Sequence, residues 1–316
     1  VGSHCCKAFA EAGWRVVTYD NLSRGWKAFV QWGDLIEGDI MDVAALKAAM
    51  EAVRPDAVAH FAAFAYVGES VSDPGSYYRN NTFGTLNIMD AMVETGIDKL
   101  IFSSTCATYG VPDRVPMDET IGQSPINPYG WSKLFVEKIL DDYDRAHGLK
   151  SVKLRYFNAA GADFDVEIGE RHEPETHLIP LALQGQLKDG FNLTVFGDDF
   201  DTRDGTCVRD YIHVMDLADA HLRALDYLQD GHPSNVFNLG TGTGTTVLEI
   251  VEAVERVSGS PVKRTIGPRR EGDPPALVAS AEKARDVLGW EPRYSDVDTI
   301  IKSAWAWHQK EANQGR

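Results

Sequence analysis

Leu100-Ile101-Phe102-Ser103-Ser104-Thr105 is an apolar run ending in three hydroxyls, and one loop later comes Tyr129-Gly130-Trp131-Ser132-Lys133. The first stretch reads as a strand. The second opens a helix, because Pro125 and Pro128 precede it and proline is preformed for a first helical turn. Four positions separate Tyr129 from Lys133, so both side chains lie on one helical face, one turn apart. A phenol with a pKa of about 10 is a poor base at neutral pH. An ammonium held beside it favours the phenolate and draws that pKa down. The pair is a means for a tyrosine to exchange protons with a substrate hydroxyl, and the hydroxyl-rich strand end offers a further group to bond the same oxygen. An isolated Tyr-x-x-x-Lys is usually a chance pair on a solvated face; the strand, loop and helix start around this one give it weight.

Outward from this point the chain alternates. Upstream, an amphipathic helix over Cys5 to Ala12 ends at Gly13, and Arg15 to Asp20 reads as a strand ending in an acid. Leu35 to Ile40 closes a short strand, Val43 to Val53 is helical, Ala57 to Phe61 is a strand, and Pro74 to Thr95 is a long helix or helix pair. Downstream, the helix runs from Tyr129 to His147, and Val152 to Phe157 is the next strand. Strands separated by helix-length segments predict an α/β fold, a doubly wound parallel sheet covered on both faces. Ligands of such sheets lie beyond the carboxyl ends of the strands, where Asp20, Asp39, Phe61, Thr105 and Asn158 all fall. Past about residue 160 the pattern loosens. Helices over Leu178 to Lys188 and Leu217 to Gln229 and strands over Leu193 to Phe196 and Val236 to Leu239 are separated by Gly-, Pro- and acid-rich segments. The expected organisation is a Rossmann-like domain over 1–160 and a smaller, mainly substrate-binding α/β domain over 161–316, with some segments returning to the sheet.

In a dinucleotide fold a strand and a Gly-rich turn precede the first helix, and an acid about 20 residues on takes the ribose hydroxyls. Gly2 and Asp20 fit the last glycine and that acid. The sequence holds neither the preceding strand nor the first two glycines, so two strand edges are expected to stay unpaired. Gly240-Thr241-Gly242-Thr243-Gly244 resembles a phosphate loop, but its glycines alternate and no acid follows at the right distance; it reads as a strand-to-helix turn.

Thirty-one Lys and Arg against 47 Asp and Glu give a net charge of −16 over 316 residues. Such a chain repels nucleic acid and anionic membrane surfaces, and an anionic ligand must be held by a few local arginines or helix N-termini. Cys5, Cys6, Cys106 and Cys207 lack Cys-x-x-Cys spacing and read as free thiols of a cytoplasmic protein. His172 and His177 lie five apart with Pro174 between them, which does not fit a metal-binding helix, so no metal is expected.

Phe102-Ser103-Ser104-Thr105, the Tyr129/Lys133 pair, Arg155-Tyr156-Phe157-Asn158, Val208-Arg209-Asp210-Tyr211-Ile212-His213-Val214, Asn238-Leu239-Gly240-Thr241-Gly242 and Arg269-Arg270-Glu271-Gly272-Asp273 occur in this order. Together they resemble the UDP-glucose (UDP-galactose) 4-epimerase family of the extended short-chain dehydrogenase/reductase superfamily, over essentially the whole chain. The resemblance implies a tightly held NAD that takes hydride from C4 of a UDP-hexose and returns it to the other face of a 4-keto sugar. It makes Tyr129 the acid/base, Lys133 the residue that holds the cofactor ribose and lowers the tyrosine pKa, and Thr105 the partner of the substrate O4. It places NAD contacts at Asp20, Asn21, Leu22, Asp39, Ile40, Phe61, Ala62, Ala63, Asn80 and Phe157. Asp20 has a reason of its own, since a carboxylate suits a ribose 2′-hydroxyl and repels a 2′-phosphate. Substrate contacts fall on Asn158, His177, Leu178, Phe196, Arg209, Arg270 and Asp273, the two arginines offering bidentate donors for a diphosphate. Members of the family commonly form homodimers through the two long helices.

Thr105 stands where many members have serine, which preserves the hydroxyl. Leu277 holds the position that gates the pocket for C2 substituents, and its intermediate size favours UDP-glucose and UDP-galactose while leaving N-acetylated sugars open. A 4,6-dehydratase would need carboxylates after the threonine, where Cys106 and Ala107 stand. A UDP-pentose 4-epimerase fits residues 102–110 equally well, and a non-catalytic nucleotide-sugar or NAD binder is the reading from a different class.

Overall fold

The computed structural model describes residues 1–188, 190–270 and 273–315. In chain order the elements are α1 (Gly2–Glu11), β1 (Val17–Asp20), β2 (Asp34–Glu37), α2 (Val43–Val53), β3 (Val58–His60), α3 (Val67–Ser72), α4 (Pro74–Tyr77), α5 (Gly84–Thr95), β4 (Lys99–Thr105), α6 (Pro128–His147), β5 (Lys150–Tyr156) and β6 (Asn158–Ala160). They continue with α7 (Leu178–Leu187), β7 (Leu193–Phe196), β8 (Val208–Arg209), β9 (Tyr211–His213), α8 (Val214–Gln229), β10 (Asn235–Leu239), β11 (Thr245–Thr246), α9 (Val247–Ser258), β12 (Arg264–Gly267), β13 (Ala276–Leu277), α10 (Glu282–Leu288) and α11 (Val297–Asn313).

A four-stranded parallel sheet runs in the order β10-β5-β4-β3, with Ile101 opposite both Ala59 and Val152. Parallel strands need cover on both faces. One face carries α1 and α8, where Cys5, Phe9, Leu217, Leu228 and Trp290 pack on Ile101, Val152, Leu154 and Phe237. The other carries α2, α5 and α6, where Leu46, Met50, Met89, Met92, Val136 and Leu140 pack on Leu100 and Phe102. β1 and β2 form a separate parallel pair. Among the described residues, neither β1 nor β3 has a ladder partner on the side where they face each other, in line with the expectation of two unpaired edges. A cleft borders both edges and continues to the strand ends at Asp20 and Phe61.

The C-terminal part has its own core, formed by α7, α9 and α11 around Ile179, Leu183, Val195, Ile250, Val254 and Ile300. Three small sheets border it: β12-β7, β11-β8-β13 and β6-β9. β10 and α8 belong to the main sheet although they lie late in the chain, as the sequence reading allows.

Several boundaries differ from those read in the sequence, each for a local reason. α1 starts at Gly2 rather than Cys5. α8 starts at Val214, three residues before Leu217, because the His213 ring caps it by accepting from Met215 N at 3.1 Å. α3 has no counterpart in the reading. The stretch from 74 to 95 is a helix with a π-helical insert over Tyr78–Phe83, a geometry that appears mostly at functional sites. Within that insert the Asn81 amide bonds Phe64 N at 2.8 Å, Phe64 O at 2.9 Å and Ser132 Oγ at 3.1 Å, tying the loop after β3 to α6.

Candidate active site

α6 carries Tyr129 and Lys133, and its first turn is fixed three ways. The Asn127 side chain accepts from Gly130 N at 2.9 Å, Pro128 occupies the first turn, and Gly130 sits against β4's exit. A Cβ at Gly130 would lie 2.4 Å from Ala107 O, so only glycine lets the helix come this close. β4 ends at Thr105, buried, which receives Ala107 N on its hydroxyl at 3.1 Å.

Lys133 is buried; its Nζ donates to Ser103 O at 2.8 Å and stands 4.8 Å from the centre of the Phe102 ring. Burial depresses its pKa to about 7, against an opposing pull from Glu137. The Tyr129 phenol is pushed up, first by burial and then by Tyr156, while the Thr105 hydroxyl works the other way. The sequence reading has the ammonium drawing this pKa down. In the structure burial dominates, and the ammonium is directed at the Ser103 carbonyl. The Cys106 thiol is raised by burial to about 12, which leaves it an inert neighbour.

Beneath the pair lies a buried network that the sequence reading missed. Glu137, one turn beyond Lys133, accepts Arg155 Nε at 2.9 Å, the Ser104 hydroxyl at 2.5 Å and Gln123 Nε2 at 3.1 Å. Burial alone would raise its pKa; Arg155, Ser104 and Gln123 outweigh that and hold it low. Arg155 donates on to Tyr109 OH at 2.8 Å, which bonds Asn238 Oδ1 at 2.7 Å. Tyr129, Lys133 and Glu137 repeat at four-residue spacing, and that extension of the series was the available signal.

The cleft between β1 and β3 is lined by Gly2, Asp20, Asn21, Leu22, Ile40, Phe61, Ala62, Ala63 and Asn80, nine of the residues assigned to the dinucleotide. Asp39 joins them through Asn21 Nδ2, 2.9 Å from its carboxylate. The first amides of α1 have no side-chain cap, and free helix-start amides suit a pyrophosphate. Asp20 ends β1 and Phe61 follows β3, the strand ends at which such a sheet takes a dinucleotide, so these residues fit that cofactor. Phe157 lies elsewhere, packed with Tyr109, Met117 and Ile121 beside Leu277.

The substrate residues form two groups. Arg209 donates to Val208 O at 2.8 Å and Pro274 O at 2.9 Å and stands 3.4 Å from Asp273; Arg270 is also 3.4 Å from Asp273 and covers the Phe196 ring at 4.6 Å. Leu277 is opposite Arg209 in the β13–β8 pairing, and Asn158 begins β6. Glu271 and Gly272 of the same motif lie outside the described residues. The second group is at the start of α7. Leu178 packs at the edge of the C-terminal core, and the His177 ring faces Glu170 and Glu175. The glycine turn after β10 binds a carboxylate of the chain itself: Thr241 N donates to Asp210 Oδ1 at 2.9 Å, so it is a structural turn, as read.

His172 and His177, whose spacing does not fit a metal-binding helix, nevertheless lie side by side. The expectation rests on helical spacing, and residues 169–177 are not helical, so five positions bring the two rings to 4.9 Å with Glu170 and Glu175 between them. Burial would lower both pKa values, but the two carboxylates raise His172 to about 9 and His177 to about 10.

A parallel sheet with a dinucleotide groove at its strand ends and a Tyr/Lys pair beside a threonine hydroxyl defines a nicotinamide-dependent enzyme of the short-chain dehydrogenase type. Residues 1–240 match the NAD dependent epimerase/dehydratase family, and the chain belongs to that family. It is 56% identical to the UDP-glucose 4-epimerase of Rhizobium meliloti (strain 1021) over 100% of this chain and 95% of that one. The UDP-glucose 4-epimerase of Brucella ovis, solved in complex with NAD, superposes with a TM-score of 0.95 at 53% identity, covering 96% of this chain and 94% of that chain. The enzyme from Stenotrophomonas maltophila, solved with bound NAD and formylated UDP-arabinopyranose, gives a TM-score of 0.96 at 37% identity over 99% and 96% of the two chains. No helix among the described residues is long and apolar enough to cross a membrane.

Proposed function

We propose that this chain interconverts UDP-glucose and UDP-galactose by oxidising the hexose at C4 and reducing it again on the opposite face. The observation that carries the reading is a half-buried Tyr129 beside the Thr105 hydroxyl and one helical turn from the buried Lys133, in a chain more than half identical to a UDP-glucose 4-epimerase. NAD would be held by Gly2, Asp20, Asn21, Leu22, Asp39, Ile40, Phe61, Ala62, Ala63, Asn80 and Lys133 and would supply the hydride acceptor and donor. Tyr129 removes the O4 proton and gives it back. Thr105 holds the same oxygen in line, and Lys133 fixes Tyr129's surroundings and the ribose.

Arg209 and Arg270 take the diphosphate, with Asp273 holding both guanidiniums in place. Asn158, Phe196, His177 and Leu178 complete the substrate side, and Leu277 sets the space at C2, with UDP-glucose and UDP-galactose as the main pair. The division of labour is a dinucleotide half over 1–160 and a mainly sugar-nucleotide half over 161–316. Two copies pair through the outer faces of α5 and α6, a reading supported by the exposed aromatics Phe83, Trp131 and Phe135. A cytoplasmic setting suits four unpaired cysteines.

The test is to supply UDP-galactose to the purified protein with no added NAD and to follow UDP-glucose. Conversion supports the reading. Binding of the sugar nucleotide without conversion would contradict it.

A further inference from the structure

The loop from β6 to α7 gathers Glu170, His172, Glu175 and His177, of which only His177 has a role in the epimerase reading. His172 Nδ1 lies 3.2 Å from a Glu170 oxygen and 3.4 Å from Glu175 Oε2. His177 Nδ1 lies 3.0 Å from the same Glu170 oxygen and 2.9 Å from Glu175 Oε1. One atom from each residue falls within 4.8 Å of all the others. Bonds of about 2.0–2.1 Å around a tetrahedral zinc ion separate its ligand atoms by roughly 3.3 Å, which matches this spacing.

A second observation points the same way. The Glu175 side chain is only 5% exposed, yet its Oε2 makes no hydrogen bond, and neither does His172 Nδ1, although the two atoms face each other. They meet at contact distance without the alignment of an N–H···O bond. A buried carboxylate oxygen left unpartnered costs about 1–3 kcal/mol or more, and a shared cation would remove that cost. Meanwhile Glu175 Oε1 is fixed by Thr176 N at 2.7 Å and His177 N at 2.8 Å, which aims the other oxygen inward.

The frame around the four residues is stiff. Trp307 Nε1 donates to Glu170 O and Trp26 Nε1 to Arg171 O, each at 3.1 Å. Between those backbone anchors Arg171 is sandwiched by the Trp26, Phe29 and Trp307 rings. Among the described residues, a second acidic cluster makes the contrast. Asp163, Asp165 and Glu167 converge as well, but each is 2.8 Å from Lys7 Nζ, so an ammonium already fills their centre.

We propose that Glu170, His172, Glu175 and His177 bind one divalent cation of the zinc class. Two imidazoles and two carboxylates in tetrahedral array suit Zn²⁺ and its substitute Co²⁺; Mg²⁺ and Ca²⁺ demand oxygen ligands and more of them. The ion takes the place of the two imidazole protons that otherwise face Glu170 and Glu175, and the two carboxylates then balance its charge. Four protein ligands close the coordination sphere, so the ion is structural and performs no chemistry. Its place gives it a consequence, since Glu170 and His172 line the dinucleotide cleft and the Tyr66 ring, also on that cleft, packs 5.7 Å from His172. The bound ion clamps the loop that borders the groove.

The experiment is to titrate the chelator-treated full-length protein with Co²⁺ and record the visible spectrum. The expected result is one Co²⁺ per chain with the strong visible bands of four-coordinate cobalt, no sulfur-to-metal charge transfer, and loss of the bands when Zn²⁺ is added. Glu175→Gln and His172→Gln should each weaken Co²⁺ binding by roughly a hundredfold or more, beyond what loss of a merely supporting group costs. The paired change Asp165→Asn with Glu167→Gln should leave it unaltered. Because a loop variant can misfold, the unmodified protein is also loaded with Zn²⁺ and its X-ray absorption recorded, where four nitrogen or oxygen neighbours including imidazole are expected. Absence of Co²⁺ binding, a six-coordinate spectrum, sulfur ligation, or affinity untouched by Glu175→Gln in a folded variant would each overturn the proposal.

Discussion

Lys133 is a cation held almost entirely out of water. Burial lowers its pKa from the ordinary 10.5 to about 7. Between those values the unfolded chain carries a proton that the folded chain lacks, so the stability contributed by Lys133 rises with pH through that window and is smallest below it. In cofactor-stripped protein, urea midpoints at a series of pH values should therefore climb more steeply for wild type than for Lys133→Met, by at most about 1.4 kcal/mol per pH unit. Equal slopes would place the ammonium in water. Glu137 is the complementary case. It is almost fully buried against Arg155, and Glu137→Gln leaves that guanidinium without its counter-charge. The expected cost is about 3–5 kcal/mol, read by urea unfolding. An exposed pair such as Arg145 and Asp142 is worth at most about 1 kcal/mol, which separates the two outcomes.

At the scale of elements, the start of α6 is the tightest junction in the site. Gly130→Ala would set a Cβ against Ala107 O and displace the first turn that carries Tyr129. The expected outcome is a loss of roughly 1–3 kcal/mol of stability and about a hundredfold in kcat with a smaller effect on KM, since misplacing an acid/base by about 1 Å is enough. Unchanged kcat would mean that the helix start tolerates the shift. Element boundaries also show what the sequence made legible. β4 and α6 read clearly because an uninterrupted apolar run and a Pro-flanked Tyr/Lys spacing are local signals. The π-helical insert over Tyr78–Phe83 did not, because it answers to Asn81's bonds across to Phe64 and Ser132, which no local pattern encodes. The early start of α8 rests on a histidine cap, and the meeting of His172 with His177 on a loop whose spacing was judged by helical rules. The buried Glu137–Arg155–Tyr109–Asn238 chain draws on α6, β5, β10 and the loop after β4, so only Glu137's place in the four-residue series was readable.

At the scale of the whole molecule, the parallel sheet sets the dinucleotide groove against the Tyr/Lys helix, while the late segments α8 and β10 come back to cover and extend that sheet. The fold class was legible from alternation alone. The placing of Arg209, Arg270 and Asp273 on one patch needed the C-terminal strands to be seen. The outer face of α6 leaves Trp131 and Phe135 in contact with each other, 5.6 Å between ring centres, and partly exposed. If two copies meet there, Phe135→Glu should convert a dimer to a monomer in sedimentation velocity with the fold retained; an unaltered sedimentation coefficient would exclude this face.

The most direct test of the central claim sets Tyr129→Phe beside the wild type, each purified and given UDP-galactose with no added cofactor. The wild type should retain NAD and form UDP-glucose. The variant should retain NAD and the sugar nucleotide while turnover falls roughly a hundred- to ten-thousand-fold, the usual weight of a positioned acid/base. A variant that keeps most of its turnover would contradict the account.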